Sequence, residues 1–201
     1  MRQYVMLIGP PAVGKSTYTK KNYPNAFVVS RDDIVDEVAR SKGLTYDDLF
    51  IYPPENSEPS KTIPGMEKYG PVKQTVSGKV FSTIEDANKQ VSHMLNQRYK
   101  EAINSERDVV IDMTNMSKAA RRLGLQHAND NEFKKIAIVF SVNEENMPTI
   151  LQRMKNRAEE IKSKGGSKTI GEPVIRKMLE RYQPVSRDEG FDEIKTIAFD
   201  N

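Results

Sequence analysis

The sequence begins with a short apolar run that leads directly into a glycine-rich loop. Residues 4–8 (YVMLI) form a continuous apolar stretch, which is typical of a buried parallel strand. Residues 9–16 then read GPPAVGKS, which has the spacing G-x-x-x-x-G-K-[ST] of a phosphate-binding loop. A helix is predicted over residues 15–22, so the motif lies between a strand and a helix, where a helix N-terminus can face an anion. This context predicts an α/β domain that binds a nucleoside triphosphate.

The residues of this loop suit the parts of a bound triphosphate. Glycines permit backbone turns that a side chain would block, and consecutive N–H groups over residues 12–17 can form an anion-binding concavity. Lys15 would carry its charge to the β- and γ-phosphates as a catalytic group, and the Ser16 hydroxyl would be a ligand of Mg²⁺. ATP and Mg²⁺ are therefore the predicted cofactors. The predicted ATP-binding residues are Gly9, Ala12, Val13, Gly14, Lys15, Ser16 and Thr17.

The rest of the chain alternates between predicted strands and helices. Apolar runs at residues 26–29, 109–112, 136–142 and 191–199 predict four more strands. Helices are predicted between them, with Ser30, Ser82 and Ser117 as N-caps, and over residues 145–161 and 173–182. The pattern predicts an α/β P-loop kinase fold, with a mostly parallel sheet of about five strands and helices on both faces. A length of 201 residues favours a single domain over residues 1–201.

Two segments depart from this regular pattern. Residues 43–80 contain five prolines and four glycines, which predicts an irregular insert on the acceptor side of the site. Its aromatic and lysine side chains would either stack bases and meet phosphates or pack the insert onto the body. Residues 153–170, which include SKGGSK, are predicted to form a mobile lid.

Acidic residues follow two of the predicted strands. Asp32 and Asp33 come after the second strand, and either could take the proton of an acceptor hydroxyl or simply favour the start of a helix. Asp32 is the preferred catalytic base, because Asp33 occupies the capping-box position behind Ser30. Asp112 ends VVID in the manner of a Walker B acid, which predicts a second ligand of Mg²⁺, although a turn acid would look the same.

Positive charge is concentrated in and after the predicted lid. Residues 151–187 contain ten Lys or Arg and four Glu, so this segment carries +6 while the whole chain carries only +3. Such a segment suits a polyanionic partner, or it is a solvated helical hairpin. Arg153 and Arg157 are four residues apart on one predicted helix and therefore share a face. They are predicted to be catalytic groups that neutralise phosphate charge, with a solvated face as the alternative.

Composition excludes other chemistries. The chain has no cysteine, so it has neither a disulfide framework nor a thiolate metal site, and its apolar runs are too short for a membrane span. We expect a cytoplasmic protein without a membrane partner. The nearest match to the guanine motif N-K-x-D lies within a predicted helix and lacks the aspartate, which disfavours a GTPase. Oligomeric state is left open.

With these residues placed, the chain resembles the bacteriophage-type 5′-hydroxyl polynucleotide kinase family. The resemblance rests on GPPAVGKST, VVSRDDI, VVIDMTNMSKAARR, LQRMKNRAEE and GEPVIRKMLERY, and it covers most of the chain outside residues 43–80. It implies that Asp32 activates a 5′-hydroxyl and that Arg157 clamps the phosphates of the donor. It also implies that Thr114 and Asn115 lie on the acceptor side of the site with Asp32, and that the protein acts in the host cytoplasm if a phage encodes it.

One position departs from that family, and it leaves the acceptor open. The family's R-D-D-x-R motif has an arginine that contacts the acceptor phosphate, where this chain has Val35. The first hypothesis is a kinase of the 5′-hydroxyl end of DNA or RNA. Alternatives are a kinase of 5-hydroxymethyl pyrimidines within DNA, a kinase of nucleotides or small metabolites, and a nucleotide-gated nucleic-acid-binding module without catalysis.

Overall fold

A five-stranded parallel sheet forms the centre of the molecule. The computed structural model describes residues 1–50, 78–128 and 132–199, with the backbone alone for residues 78–82. Its strands lie in the order β2-β3-β1-β4-β5. They are β1 (Arg2–Ile8), β2 (Phe27–Val29), β3 (Val109–Ile111), β4 (Phe133–Phe140) and β5 (Glu193–Ile197). The predicted parallel α/β architecture is confirmed.

Six α-helices connect or follow these strands in the described part of the chain. They are α1 (Lys15–Asn22), α2 (Arg31–Ser41), α3 (Gly78–Asn104), α4 (Lys118–Leu125), α5 (Met147–Ser163) and α6 (Glu172–Glu180). Short 3-10 helices occupy Asp47–Phe50, Glu144–Asn146 and Arg187–Glu189.

The predicted N-caps meet different outcomes. The Ser30 and Ser117 hydroxyls accept hydrogen bonds from the Asp33 and Ala120 amides, at 3.2 Å each, and both caps are confirmed. The prediction that Ser82 caps the long helix is wrong, because α3 begins four residues earlier at Gly78. The helical apolar spacing does not begin until residue 84, so periodicity gave no signal for the first turns.

Alternation along β1 builds a core on each face of the sheet. Tyr4, Met6 and Ile8 are fully buried on one face, where side chains of α3 and α4 cover them. Val5 and Leu7 are fully buried on the other face, against side chains of α1, α5 and α6. Because both faces are covered, the strand is apolar at every position of this stretch rather than at alternate ones. Helices therefore lie on both faces, as predicted.

Backbone hydrogen bonds join the loops at the carboxyl edge of the sheet. The Asp112 amide donates to the carbonyl of Val29 at 3.0 Å, and the Gly9 amide donates to the carbonyl of Thr114 at 3.0 Å. The ends of β2, β3 and β1 are thus held side by side. Ligands of open parallel sheets bind at this edge, where the loops diverge.

A third core cluster lies between α2, α3 and the 3-10 helix Asp47–Phe50. Val35 and Leu49 are buried in it, and Tyr46 and Phe50 pack against it. The part of the predicted insert nearest to α2 therefore packs onto the body of the protein. Val35 is a core side chain, so an arginine at this position would be buried rather than exposed to a ligand. Residues 51–77, which include most of the predicted insert, lie outside the described residues.

Candidate active site

The glycine-rich loop has the backbone shape that its sequence predicts. Gly14 precedes α1 with φ +99°, a left-handed conformation that favours glycine. Gly9 leaves no room for a side chain, because a Cβ there would lie 3.1 Å from the Cβ of Phe140. The Val13 side chain is buried in the core and anchors the loop there, so only the backbone of Val13 is available to a ligand. At the start of α1 the Lys15, Ser16 and Thr17 amides lack helical acceptors, so they are available to an anion.

Lys15 is buried beneath this loop. Its Nζ donates to the carbonyl oxygens of Gly9 at 2.9 Å and Pro10 at 2.7 Å. Burial lowers the pKa of Lys15 to about 8, although Asp112 and Asp32 act in the opposite direction. A phosphate oxygen carries negative charge and is a stronger acceptor for an ammonium group than a carbonyl is. We therefore expect the Lys15 ammonium group to exchange its carbonyl partners for a phosphate oxygen when a triphosphate binds.

Ser16 and Asp112 form the oxygen pair that the motif predicts for Mg²⁺. The Ser16 hydroxyl donates to Oδ2 of Asp112 at 2.8 Å, which brings the start of α1 to the end of β3. A hydroxyl and a carboxylate are hard oxygen donors of the kind that Mg²⁺ prefers, and Mg²⁺ commonly takes its remaining ligands from water and substrate phosphates. These two residues fit the ion, and they would hold it beside the phosphate-binding loop.

Thr114 and Asn115 lie directly behind the loop. The carbonyl of Thr114 accepts the Gly9 amide, while the buried Asn115 side chain donates to the carbonyl of Leu7 at 2.8 Å. Asn115 also has φ +48°, which asparagine tolerates better than most residues. Its amide group is thus engaged with β1, and its structural contribution is to hold the segment after β3 against the segment after β1.

Asp32 is a second acidic side chain whose charge acts on Lys15 of the phosphate-binding loop. It lies in the first turn of α2, and its side chain is 46% exposed. Oδ1 accepts from the Tyr46 hydroxyl at 3.0 Å, and Oδ2 accepts from Nζ of Lys168 at 2.9 Å. Burial raises its pKa, but Lys168 and Tyr46 more than offset this, so the Asp32 pKa lies below its ordinary value. Asp32 is thus an ionised carboxylate that a ligand can reach.

The two arginines of the predicted lid are placed differently. Arg157 on α5 is exposed, and its charge acts on both Lys15 and Asp32, so it lies near the centre of the site. The guanidinium carbon of Arg153 lies 4.7 Å from the centre of the Phe199 ring, in a cation–π contact at the C-terminal segment. The structure therefore brings Arg157, Lys15 and Asp32 together, while Arg153 packs against an aromatic side chain.

Three residues around Asp32 were not predicted from sequence as its supporting groups. Lys168 and Tyr46 bind the Asp32 carboxylate, and Asp47 holds the loop that carries Lys168. Tyr46 was predicted only as one of the aromatic side chains of the insert, which either stack bases or pack onto the body. Lys168 belongs to SKGGSK, whose composition indicates only a loop. Tyr46 and Asp47 lie at the edge of the predicted insert, where no periodic pattern signals their position. One sequence signal could have pointed to a cation beside Asp32. Asp36 lies four residues after Asp32, which places both carboxylates on one face of α2.

The sequence matches a known family over most of its length. Residues 5–185 match the model of the AAA_33 family, which is described as an AAA domain. The chain belongs to this family. No curated protein matches the sequence.

Solved structures provide a separate comparison. The PezAT toxin–antitoxin system of Streptococcus pneumoniae includes a chain that aligns over 98% of this protein and 67% of its own length, with a TM-score of 0.56 at 13% identity. An inferred kinase from Chloroflexus aurantiacus aligns over 98% and 85%, with a TM-score of 0.53 at 11% identity. A gluconokinase from Sinorhizobium meliloti aligns over 100% and 86%, with a TM-score of 0.49 at 10% identity. The first two share the fold with this chain.

Family and fold together define the class of chemistry. The protein has a P-loop kinase-like α/β fold, which supports a phosphotransferase that uses ATP and Mg²⁺. The Lys15 and Ser16–Asp112 arrangement fits both cofactors, as described above. Within the described residues, no helix is long and apolar enough to cross a membrane.

Proposed function

We propose that the protein is an ATP-dependent kinase that transfers the γ-phosphate to a hydroxyl group, with Asp32 as the general base. The observation that carries this proposal is the position of Asp32, an accessible carboxylate whose charge acts on the lysine of the phosphate-binding loop. A carboxylate in this position can accept the proton of an acceptor hydroxyl bound beside it.

The chain's own residues would divide the reaction as follows. The loop amides and Lys15 would bind the β- and γ-phosphates, and Arg157 would neutralise charge on the donor. The acceptor oxygen would attack the γ-phosphorus and form a new P–O bond, while the bond to the bridging oxygen breaks and ADP leaves. Asp32 would accept the proton of the acceptor hydroxyl. Mg²⁺ held at Ser16 and Asp112 supplies charge neutralisation on the phosphates when bound.

For the acceptor, we propose a hydroxyl on nucleic acid, most simply the 5′ end of DNA or RNA. The supporting observations are the net charge of +6 over residues 151–187 and the resemblance of the loop, R-D-D and lid motifs to polynucleotide kinases. Much of this positive charge is carried by α5, α6 and the loop between them, and the same loop brings Lys168 to Asp32. A nucleic acid could therefore contact this surface while its terminal hydroxyl meets the base.

A second candidate is a kinase of nucleotides or other small hydroxyl compounds. Its support is that Lys168 and Tyr46 both contact the Asp32 carboxylate. These contacts leave an acceptor less space to reach the base from the side of the loop between α5 and α6. A smaller acceptor would need less space there. The two candidates share the same catalytic groups and differ only in the acceptor.

One acceptor panel tests both candidates. Labelled ATP and Mg²⁺ are incubated with the protein and 5′-hydroxyl DNA, 5′-hydroxyl RNA, end-blocked DNA containing 5-hydroxymethyluracil, nucleosides, nucleotides and gluconate. Transfer to a 5′ end supports the first candidate, and label on the modified base redirects it to DNA modification. Preference for nucleosides, nucleotides or gluconate over every oligonucleotide would refute a nucleic-acid acceptor. Release of inorganic phosphate alone would refute the kinase.

The base is tested by Asp32→Asn, with Asp33→Asn as the matched control on the next residue of the same helix turn. Loss of a general base lowers turnover by about 10²–10⁴-fold. We expect such a loss in kcat for Asp32→Asn, an unchanged affinity for ATP, and near-normal turnover for Asp33→Asn. Oligonucleotide binding with normal turnover in Asp32→Asn would contradict the assigned role.

A further inference from the structure

Lys168 is a buried lysine on the loop between α5 and α6. Its side chain is only 4% exposed, and its Nζ lies 2.9 Å from Oδ2 of Asp32 and 4.0 Å from Oδ2 of Asp36. The same ammonium group lies 3.9 Å from the centre of the Tyr46 ring. An ammonium group loses hydration when it is buried, so it remains charged only where anionic and aromatic partners replace water. Two of these partners lie on α2, and the third directly precedes the 3-10 helix Asp47–Phe50.

The loop that carries Lys168 is fastened on both sides of this residue. Asp47 accepts hydrogen bonds from the Ser167 hydroxyl and, at 2.8 Å, from the Thr169 amide. The Asp47 amide in turn donates to the carbonyl of Ser167 at 3.2 Å. Residues before and after Lys168 are therefore held by a single residue of the 3-10 helix, which fixes where the lysine can place its charge.

The Asp32 carboxylate depends on this arrangement for both its orientation and its charge. Tyr46 and Lys168 each bind one of its oxygens, and each oxygen keeps a further lone pair for an acceptor hydroxyl. Other charged groups also act on the Asp32 carboxylate. Arg157 on α5 and Lys15 under the loop favour the ionised form, while Asp36 on the same helix opposes it. Lys168 is the cation in direct contact.

We infer that Lys168 is a positioning residue for phosphoryl transfer: it holds Asp32 ionised and aimed at the acceptor, and does so only while the loop is fastened to Asp47. The inference rests on the proposed function. It gives the segment after α5 a role in positioning the catalytic base Asp32, in addition to any contact with phosphate. A displaced loop would leave the site able to bind ATP but with a misaligned base.

Kinetics of Lys168→Met test this assignment. We expect kcat to fall by about 10–100-fold, less than for loss of the base itself, with the KM for ATP unchanged. We also expect the acid limb of the kcat/KM profile for the acceptor to move to higher pH, since a cation in contact lowers the pKa of a carboxyl group. Lys168→Arg keeps the charge and should restore part of kcat and the position of the acid limb.

Lys89→Met is the matched control. This lysine lies on α3, outside residues 151–187, and it is exposed and pairs with Glu85 one turn earlier. It should leave kcat and the acid limb unchanged. An equal effect of both substitutions would mean that general loss of positive charge explains the result, and this would overturn the inference.

Carboxyl titration by carbon NMR gives a readout that does not need turnover. In Lys168→Met the Asp32 carboxyl should titrate at a higher pH than in the unaltered protein, because the cation that lowers its pKa is gone. Asp47→Ala, which releases the loop, should shift the same titration in the same direction, and the double variant should shift it little further. An Asp32 titration that is unchanged in Lys168→Met would overturn the inference.

The proposed kinase function and the proposed role of Lys168 can be refuted independently of each other. If the unaltered protein transfers phosphate to none of the acceptors, the proposed function is refuted and the NMR titration alone decides whether Lys168 controls Asp32. If the unaltered protein is active and Lys168→Met keeps its kcat and its acid limb, the inference fails while the proposed function stands. If Lys168→Met does not fold, the Asp32 titration in Asp47→Ala tests the inference instead.

Discussion

Replacement of Arg121 should destabilise the protein strongly, because every donor group of its side chain that is described binds another part of the protein. It is completely buried, and its guanidinium binds the carboxylate of Glu189 through two hydrogen bonds of 2.7 and 2.8 Å. It also donates to the carbonyl oxygens of Asn115 at 3.1 Å and Pro184 at 3.2 Å. Arg121→Met would keep most of the side-chain volume and remove all of these donors.

The expected loss of stability follows from what the substitution leaves behind. Glu189 has a side chain that is 10% exposed, so without Arg121 it becomes a nearly buried, unpaired carboxylate. Breaking a buried ion pair by removing one partner costs about 3–5 kcal/mol. Since domains are stable by only about 5–15 kcal/mol, this is a large share of the total. With an m-value of about 2 kcal/mol/M, the urea midpoint should fall by about 1.5–2.5 M.

Urea unfolding followed by circular dichroism at low temperature measures this loss. The control is Arg176→Met, since Arg176 pairs with Glu172 and Glu144 at the surface and its side chain is 46% exposed. Exposed pairs contribute about 0–1 kcal/mol, so this control should barely move the midpoint. In the double variant with Glu189→Gln the loss should be smaller than in Arg121→Met alone, because no unpaired charge remains.

The pH dependence of the stability lost in Arg121→Met gives a second check, and its direction follows from the pKa of Glu189. Burial raises the pKa of Glu189, but its hydrogen bonds with Arg121 and Ser186 outweigh this, and the pKa lies below its ordinary value. The pair therefore stabilises the folded protein above the ordinary pKa of glutamate, and this contribution is lost as pH falls through the lowered pKa. The deficit of Arg121→Met should shrink from pH 7 towards pH 4. A midpoint shift as small as that of Arg176→Met, or a deficit that does not change with pH, would refute the reasoning.

Two further predictions concern α2 and the site. Ser30→Ala removes the hydroxyl that accepts the Asp33 amide, so thermal unfolding should report a loss of about 1 kcal/mol; no loss would mean that water replaces the cap. The Asp32 pKa is lowered, so its pair with Lys168 stabilises the fold above the ordinary pKa of aspartate and loses this effect as pH falls through the lowered value. Stability measured between pH 3 and pH 6 should therefore rise less steeply in Lys168→Met than in the unaltered protein, and equal slopes would contradict the pairing.

Local rules predicted the frame of the site well. A strand that is apolar at every position, a glycine-rich loop and a capping serine each depend on neighbouring residues alone, and these patterns located β1, the phosphate-binding loop and the start of α2. The carboxyl ends of parallel strands share one edge, so the spatial grouping of Asp32 and Asp112 with the loop followed from the fold class.

The partners of Asp32 could not be predicted in the same way. Lys168 lies 136 residues from Asp32 along the chain, and its burial results from how one loop packs against a 3-10 helix. A lysine in a glycine-containing loop has the same sequence appearance whether it is solvated or buried. Arg153 is a further example, since its spacing from Arg157 predicted a shared helix face but gave no sign of the contact between its guanidinium and the Phe199 ring. Such contacts depend on tertiary packing, which spacing does not encode.

The central place of β1 has a consequence for how the chain is made. β1 leaves the ribosome well before both of its neighbours in the sheet: Tyr4 pairs with Val109 on β3 and with Lys135 on β4. Until β3 and β4 are made, the apolar stretch of β1 therefore has neither of these partner strands. Contacts of such separation slow folding, and an unpaired apolar strand invites association with other chains. The nascent protein should thus depend on chaperones more than a domain of its size with sequentially paired strands.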